Sequence, residues 1–198
     1  MVSPAIRTPG PTRRPKLTPD ELDAVYNLWS NLPEMNRPIE IINGEIVMSP
    51  GTIPHSRSHS KLHVLIANHV DALDLGEVFI PAAIVFISKE FVFEPDIVFV
   101  RKDRLHILGE KQMESPPDLV VEVLSRWTGR HDRKAKFIEY AKFGIPEYWI
   151  ADPKKKTIEI YVNEGNKYQL LGIYSGPQVV ESRVLPGLKF AASVVFPG

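Results

Sequence analysis

Asp118-Leu119-Val120-Val121-Glu122-Val123-Leu124-Ser125 is the stretch on which the fold turns. It is apolar on both faces except at Glu122, and a strand of that kind belongs inside a sheet covered on both sides. Glu122 is the anomaly. A carboxylate among valines is costly to bury alone and would rather take up a proton. It therefore needs either a buried salt bridge to an arginine or lysine, or a metal ion, and the residues alone leave both readings open.

Working outward, the next periodic segment is His131–Phe143, a helix that turns Phe137, Ile138 and Ala141 to the core, with Gly144 placed to cap it. A short strand, Glu147–Ala151, follows. Upstream lie two more strand-like runs, Val78–Ile87 and Phe91–Val100, the second broken by Pro95 so that Asp96 opens Ile97–Val100. Before them, residues from about His55 to Leu75 carry Leu62, Leu65, Ile66, His69, Val70 and Leu73 on one helical stripe. Asn43-Gly44 between Ile39–Ile42 and Glu45–Met48 is a strong two-residue hairpin signal. It pairs Ile42 with Glu45 and Glu40 with Val47. The all-apolar face (Ile39, Ile41, Ile46, Met48) is expected to meet the core, and the face with Glu40 and Glu45 to be either solvated, which is the commoner case, or pointed at a site. Thr18-Pro19-Asp20-Glu21 reads as a capping box opening a first helix. Thr157–Val162 and Tyr168–Tyr174 form a late hairpin, and Val179–Phe196 is a loop with one or two short strands. Strands alternate with helices, so the fold class is α/β with a central mixed sheet flanked by helices, preceded by a helix and a β-hairpin.

The 198 residues contain no cysteine, which excludes disulfides, thiolate metal sites and thiol catalysis. No apolar run reaches the ~18 residues of a membrane span. The opening MVSPAIRTPGPTRRPK lacks the apolar core of a secretory signal. A cytoplasmic, non-membrane protein is the expectation. Residues 1–16 hold four prolines and four basic residues without an acid, and read as a disordered basic tail.

Several residues could carry chemistry. Asp96 is either a turn residue at a strand start or, with Glu122, half of a carboxylate pair that binds one divalent cation. Asp132, Lys136 and Tyr140 lie on one helical stripe. They form either a solvated acid–base surface or a row that brings a lysine to the carboxylates, where it would orient water or stabilise charge on a phosphate. His55, His59 and His63 recur at four-residue spacing without the glutamate of a metalloprotease helix, so a zinc pair there is disfavoured.

Asp96 in EPDIVFV, then PPDLVVEVLS, then Asp132 to Tyr140, then GIPEYWIADP together resemble the Uma-type restriction-endonuclease family, a domain of unknown function placed in the PD-(D/E)XK nuclease superfamily. The resemblance runs from about Ile39 to Phe196. It implies a restriction-endonuclease-like core over residues 17–198 and a Mg²⁺- or Mn²⁺-dependent endonuclease acting on DNA, RNA remaining open. By the same match Asp96 and Glu122, with the backbone carbonyl of Val123, hold the ion and Lys136 assists the water. Leu124 stands where a nuclease lysine usually follows the second acid, and the helical Lys136 matches its replacement. Glu45, His55, Asp132 and Tyr140 match supporting positions, and Arg126, Arg130 and Arg133 are candidates for nucleic-acid contact. A homodimer is also suggested by resemblance. The alternative is a catalytically silent nucleic-acid-binding or regulatory module on a nuclease fold.

The net charge of zero hides unlike segments. Residues 126–142 hold six basic residues against two acids, directly after Glu122. That excludes a wholly basic DNA-coating protein but suits an enzyme that meets a phosphate on one face.

Overall fold

The computed structural model describes residues 17–31, 39–48, 51–80, 85–113, 115–125 and 130–196, with no side-chain account of 130–133. The basic tail read at residues 1–16 lies outside the described residues. In chain order, helix α1 (Pro19–Ser30) precedes the hairpin β1 (Ile39–Ile42) and β2 (Glu45–Met48), helix α2 (Ile53–Leu73) and strands β3 (Gly76–Phe79), β4 (Val85–Ser88), β5 (Phe91–Phe93), β6 (Ile97–Arg101) and β7 (Leu119–Val123). Then come helix α3 (Arg130–Phe143) and strands β8 (Glu147–Asp152), β9 (Thr157–Asn163), β10 (Tyr168–Ser175), β11 (Val179–Glu181) and β12 (Lys189–Ala191).

The central sheet has six strands in the order β10-β9-β8-β7-β6-β3. Only the β7–β8 pair is parallel, and α3 is the crossover between them. Strand β7 is interior, and its alternation decides what lies on each side. Leu119, Val121 and Val123 enter one core with Leu62, Ile66 and Val70 of α2 and Leu185, Leu188 and Phe190 near the C-terminus. Val120 enters the other core with Tyr140 and Ala141 of α3. Glu122 shares the parity of Val120, so its side chain points to the α3 side.

A second sheet, β2-β1-β5-β4, packs against that same side through Ile42 and Phe93. The Asn43-Gly44 turn has both residues at positive φ (54° and 75°), as a tight hairpin requires, and the register is the expected one, Glu40↔Val47 and Ile42↔Glu45. The expected facing, however, is corrected. Both faces of this hairpin are covered, because α1 lies over the row containing Ile41, Val92 and Phe86, with Tyr26 packed edge-on to Phe86. The face expected to be solvated is the one turned to the second core, and Glu40 on it is 3% exposed. The run Val78–Ile87 is also not one strand: β3 joins the six-stranded sheet and β4 the four-stranded one. Pro95, lacking an N–H, separates β5 from β6 in the same way.

The C-terminal segment is fastened by a buried carboxylate. Glu147 accepts hydrogen bonds from Trp149 Nε1 (2.6 Å), Ser182 Oγ (2.8 Å), and the backbone N–H groups of Arg183 (2.7 Å) and Val184 (3.3 Å). Removing an acceptor while leaving buried donors behind costs about 1–3 kcal/mol per orphaned group. Glu147→Ala is therefore expected to lower unfolding stability in urea by more than about 3 kcal/mol, and Glu147→Gln by clearly less. Leu28→Ala, at a site 60% exposed, should stay within about 0.5 kcal/mol of the parent.

Candidate active site

The antiparallel register Ile97↔Val121, carried one step further, sets Asp96 across from Glu122 at the end of the central sheet. Asp96 is held from three directions. Its Oδ2 accepts the backbone N–H of Val123 at 2.6 Å, its Oδ1 accepts His55 Nε2 at 3.1 Å, and its own carbonyl accepts His59 Nε2 at 2.9 Å. Both histidines come from the first turns of α2, whose N-cap Thr52 accepts the His55 N–H. The rings of His55, His59 and His63 stack nearly parallel, centroids 6.2 and 6.5 Å apart. The four-residue His spacing thus grips the acid's backbone and side chain.

Helix α3 supplies the basic partner. Lys136 Nζ lies 2.9 Å from Glu122 Oε1 and 2.8 Å from Glu40 Oε1, and 5.8 Å above the ring of Phe93. One turn on, the Tyr140 hydroxyl donates to the same Glu122 Oε1 at 3.0 Å. Tyr140 is fixed edge-on to Phe93 and Tyr148. The helix thus turns Lys136 and Tyr140 inward, and Ile138, expected in the core, is 39% exposed. Phe137 and Ala141 face the core as expected, and the exposed isoleucine beside a buried lysine marks a helix face on which pairing acts together with apolar burial.

Charge is in surplus here. Burial pushes the Glu122 carboxyl up to about 7; the Lys136 ammonium opposes this, while the charges of Asp96 and Glu40 add to it. Burial alone would discharge Lys136, but Glu122 and Glu40 more than offset it and hold the ammonium above its usual range. Burial likewise lowers His55, and the hydrogen bond and charge of Asp96 outweigh it, leaving the ring easier to protonate than usual. The Tyr140 hydroxyl is held well up, by burial and then by the two glutamates, so it stays a donor.

Three carboxylates, those of Glu122, Glu40 and Asp96, thus surround one ammonium. Among the described residues no group of three or more His, Cys, Asp or Glu side chains forms a metal cage. The pair Asp96 and Glu122 is what a hard ion that keeps several of its own waters would need, one or two carboxylates.

Of the residues singled out from the sequence, Asp96, Glu122, Lys136, Tyr140 and His55 are joined by these contacts. Glu45 is exposed at the start of β2, and the hairpin carboxylate that reaches Lys136 is Glu40. Arg126 lies outside the described residues, as do the side chains of Arg130, Asp132 and Arg133. Glu40 and His59 were missed. The signal for Glu40 was present: like Glu122, it stands alone in an apolar run, Ile39-Glu40-Ile41-Ile42.

A mixed sheet with two acids facing each other on adjacent strands, flanked by helices that bring a lysine and histidines to them, is a restriction-endonuclease-like core. Residues 26–193 match the Uma2 family, described as "Putative restriction endonuclease", and the chain belongs to that family. It is 28% identical over 188 residues to an uncharacterized protein of Synechocystis sp., covering 93% of each chain. Its fold is similar to the crystal structure of a "putative nuclease" from Anabaena variabilis, with a TM-score of 0.72 and 19% identity over 86% of this chain and 96% of that one.

In the metal-free protein the Glu122 carboxyl should titrate near 7 rather than near 4.5, followed by its side-chain carbon signal in NMR. The folded state then keeps a proton that the unfolded chain has lost. The stability this group contributes is complete below pH 4.5 and is lost as pH climbs through about 7. Lys136→Met removes the opposing charge and should move the midpoint higher. A midpoint in the ordinary carboxylate range would overturn this account of the site.

Proposed function

We propose that the chain is a Mg²⁺- or Mn²⁺-dependent endonuclease that hydrolyses phosphodiester bonds in DNA. The observation that carries this reading is the convergence of Asp96, just before β6, with Glu122 of β7 and Lys136 of α3, Lys136 lying 2.9 Å from Glu122 in a buried corner. Asp96 and Glu122, with the backbone carbonyl of Val123, are the groups that would hold the ion. When bound, it would polarise the phosphate and lower the pKa of a water.

The chain's own residues supply the remainder. The Val123 N–H, His55 and His59 keep Asp96 from swinging away. Tyr140 and Lys136 both bond Glu122 Oε1, which fixes the carboxylate plane. The Lys136 ammonium is positioned to orient water and to stabilise charge developing on the phosphate. Arg126, Arg130 and Arg133, on the basic segment after Glu122, are assigned to the nucleic-acid backbone. The family description supports a nucleic-acid substrate. No helix among the described residues is long and apolar enough to cross a membrane. Pairing of two copies to cut both strands is part of this proposal.

The test is cleavage of plasmid, single-stranded DNA and RNA by the purified full chain with Mg²⁺ or Mn²⁺. Cutting of DNA that EDTA abolishes is expected, and Asp96→Ala, Glu122→Ala and Lys136→Met should each lower it by at least about 100-fold. Binding should weaken steeply with salt. Salt-sensitive binding without cleavage under either metal would replace this reading with a catalytically silent module, and preferential cutting of RNA would correct the substrate.

A further inference from the structure

We infer that Glu40 is a positioning residue of this site, one that ties the lysine and the first metal-binding acid to a common anchor. The inference rests on the nuclease reading for its activity arm, and on geometry alone for the rest.

Glu40 lies in β1, an inner strand of the four-stranded sheet, and is 3% exposed. Its Oε1 accepts two donors, Lys136 Nζ at 2.8 Å and the backbone N–H of Glu94 at 2.9 Å. Glu94 returns the bond, its Oε2 accepting the N–H of Ile39 at 3.1 Å. This reciprocal clasp takes over where the β1–β5 ladder stops. The paired residues are Ile41↔Val92 and Ile42↔Phe91, and the next pairs in that register would be Glu40 with Phe93 and Ile39 with Glu94.

Glu94-Pro95-Asp96 is the short connection that carries Asp96 from the second sheet into the central one. One carboxylate oxygen thus fixes the chain two residues before Asp96 and the ammonium that faces Glu122. Through these two contacts Glu40 sets the distance between the acids and Lys136, and its charge is also felt at Glu122. It also gives Lys136 a second anion. Were Glu122 to turn its charge to a cation, Glu40 would still hold Lys136 in place.

Two substitutions separate this role from a merely structural one. Glu40→Gln keeps an acceptor oxygen of the same reach for the Glu94 N–H and for Lys136; Glu40→Ala removes it. Ile41→Ala, at a fully buried neighbour on the other face of the strand, serves as the control for general destabilisation. Since a displacement of about 1 Å at a reacting group can cost about 100-fold, Glu40→Ala should lower kcat by at least about 100-fold. KM should change less than about 3-fold, and Glu40→Gln should recover kcat to within about 10-fold of the parent.

The activity-free arm is measured on the metal-free full chain by NMR. Glu40→Ala should abolish hydrogen-exchange protection of the Glu94 amide and shift the Lys136 ammonium signal, and Glu40→Gln should preserve the protection. The inference is overturned if Glu40→Ala keeps kcat within about 3-fold, or if Ile41→Ala loses as much kcat. It is also overturned if the Glu94 amide and the Lys136 signal are unchanged in Glu40→Ala. If the parent protein cuts no nucleic acid, the nuclease reading fails, and the NMR arm alone decides whether Glu40 anchors both groups.

Discussion

The ammonium of Lys136, buried between Glu122 and Glu40, is the contact on which the arrangement depends. An isolated ammonium in this position would discharge, and an isolated carboxylate on an interior strand would protonate. Neither group is tolerable without the other, and breaking such a pair by removing one partner is commonly worse than never having built it. The need for pairing sets the rotation of α3, which places Lys136 and Tyr140 inward at the expense of Ile138. It also draws the hairpin sheet onto the central sheet, because Glu40 reaches Lys136 only from there. Two sheets and a helix are brought together around one nitrogen.

The two sides of the central sheet therefore follow different rules. On the α2 side the contacts are apolar, from Leu62, Ile66 and Val70 to Leu185 and Phe190, with Glu147 fastening the outer chain through neutral donors. On the α3 side the apolar packing of Phe93, Tyr140 and Tyr148 is a wall around charge. Low local polarity strengthens every electrostatic contact inside that wall and makes an unpaired group costly. The net charge of zero is thus a poor guide, since what matters is that opposite charges are placed within 3 Å of each other in a dry corner.

Much of the fold was legible because its signals are local. The capping box at Thr18 and Glu21, the Asn43-Gly44 register and the doubly apolar β7 follow from short-range rules, and each is present. Glu122 was legible as a buried carboxylate in need of a partner by the cost of its surroundings, and the lysine that pairs with it, Lys136, by its helical spacing together with the family resemblance. What was not legible depends on coverage by distant chain. The Glu40 face was expected to be solvated because a lone hairpin has one buried side; α1 and α3 cover both. Ile138 was placed inside because apolar periodicity cannot see that a lysine takes a place on the buried stripe of Phe137, Tyr140 and Ala141. The run Val78–Ile87 reads as one strand because nothing in its composition says that two sheets share it.

The contributors to the corner are far apart along the chain, from Glu40 to Tyr140, and Lys136 is among the last of them to be synthesised. Until α3 docks, Glu40 and Glu122 have no cation between them. The carboxylates then repel, which opposes the apolar contacts of Ile42 and Phe93 that bring the hairpin sheet to the central one. Docking of α3 and completion of the corner therefore depend on the same long-range contacts. A growing or truncated chain that ends before α3 carries both acids but not the lysine that neutralises them. Such a chain leaves two buried-site carboxylates without their shared counter-charge, so the same nitrogen that completes the finished corner marks an unfinished chain as incompletely packed.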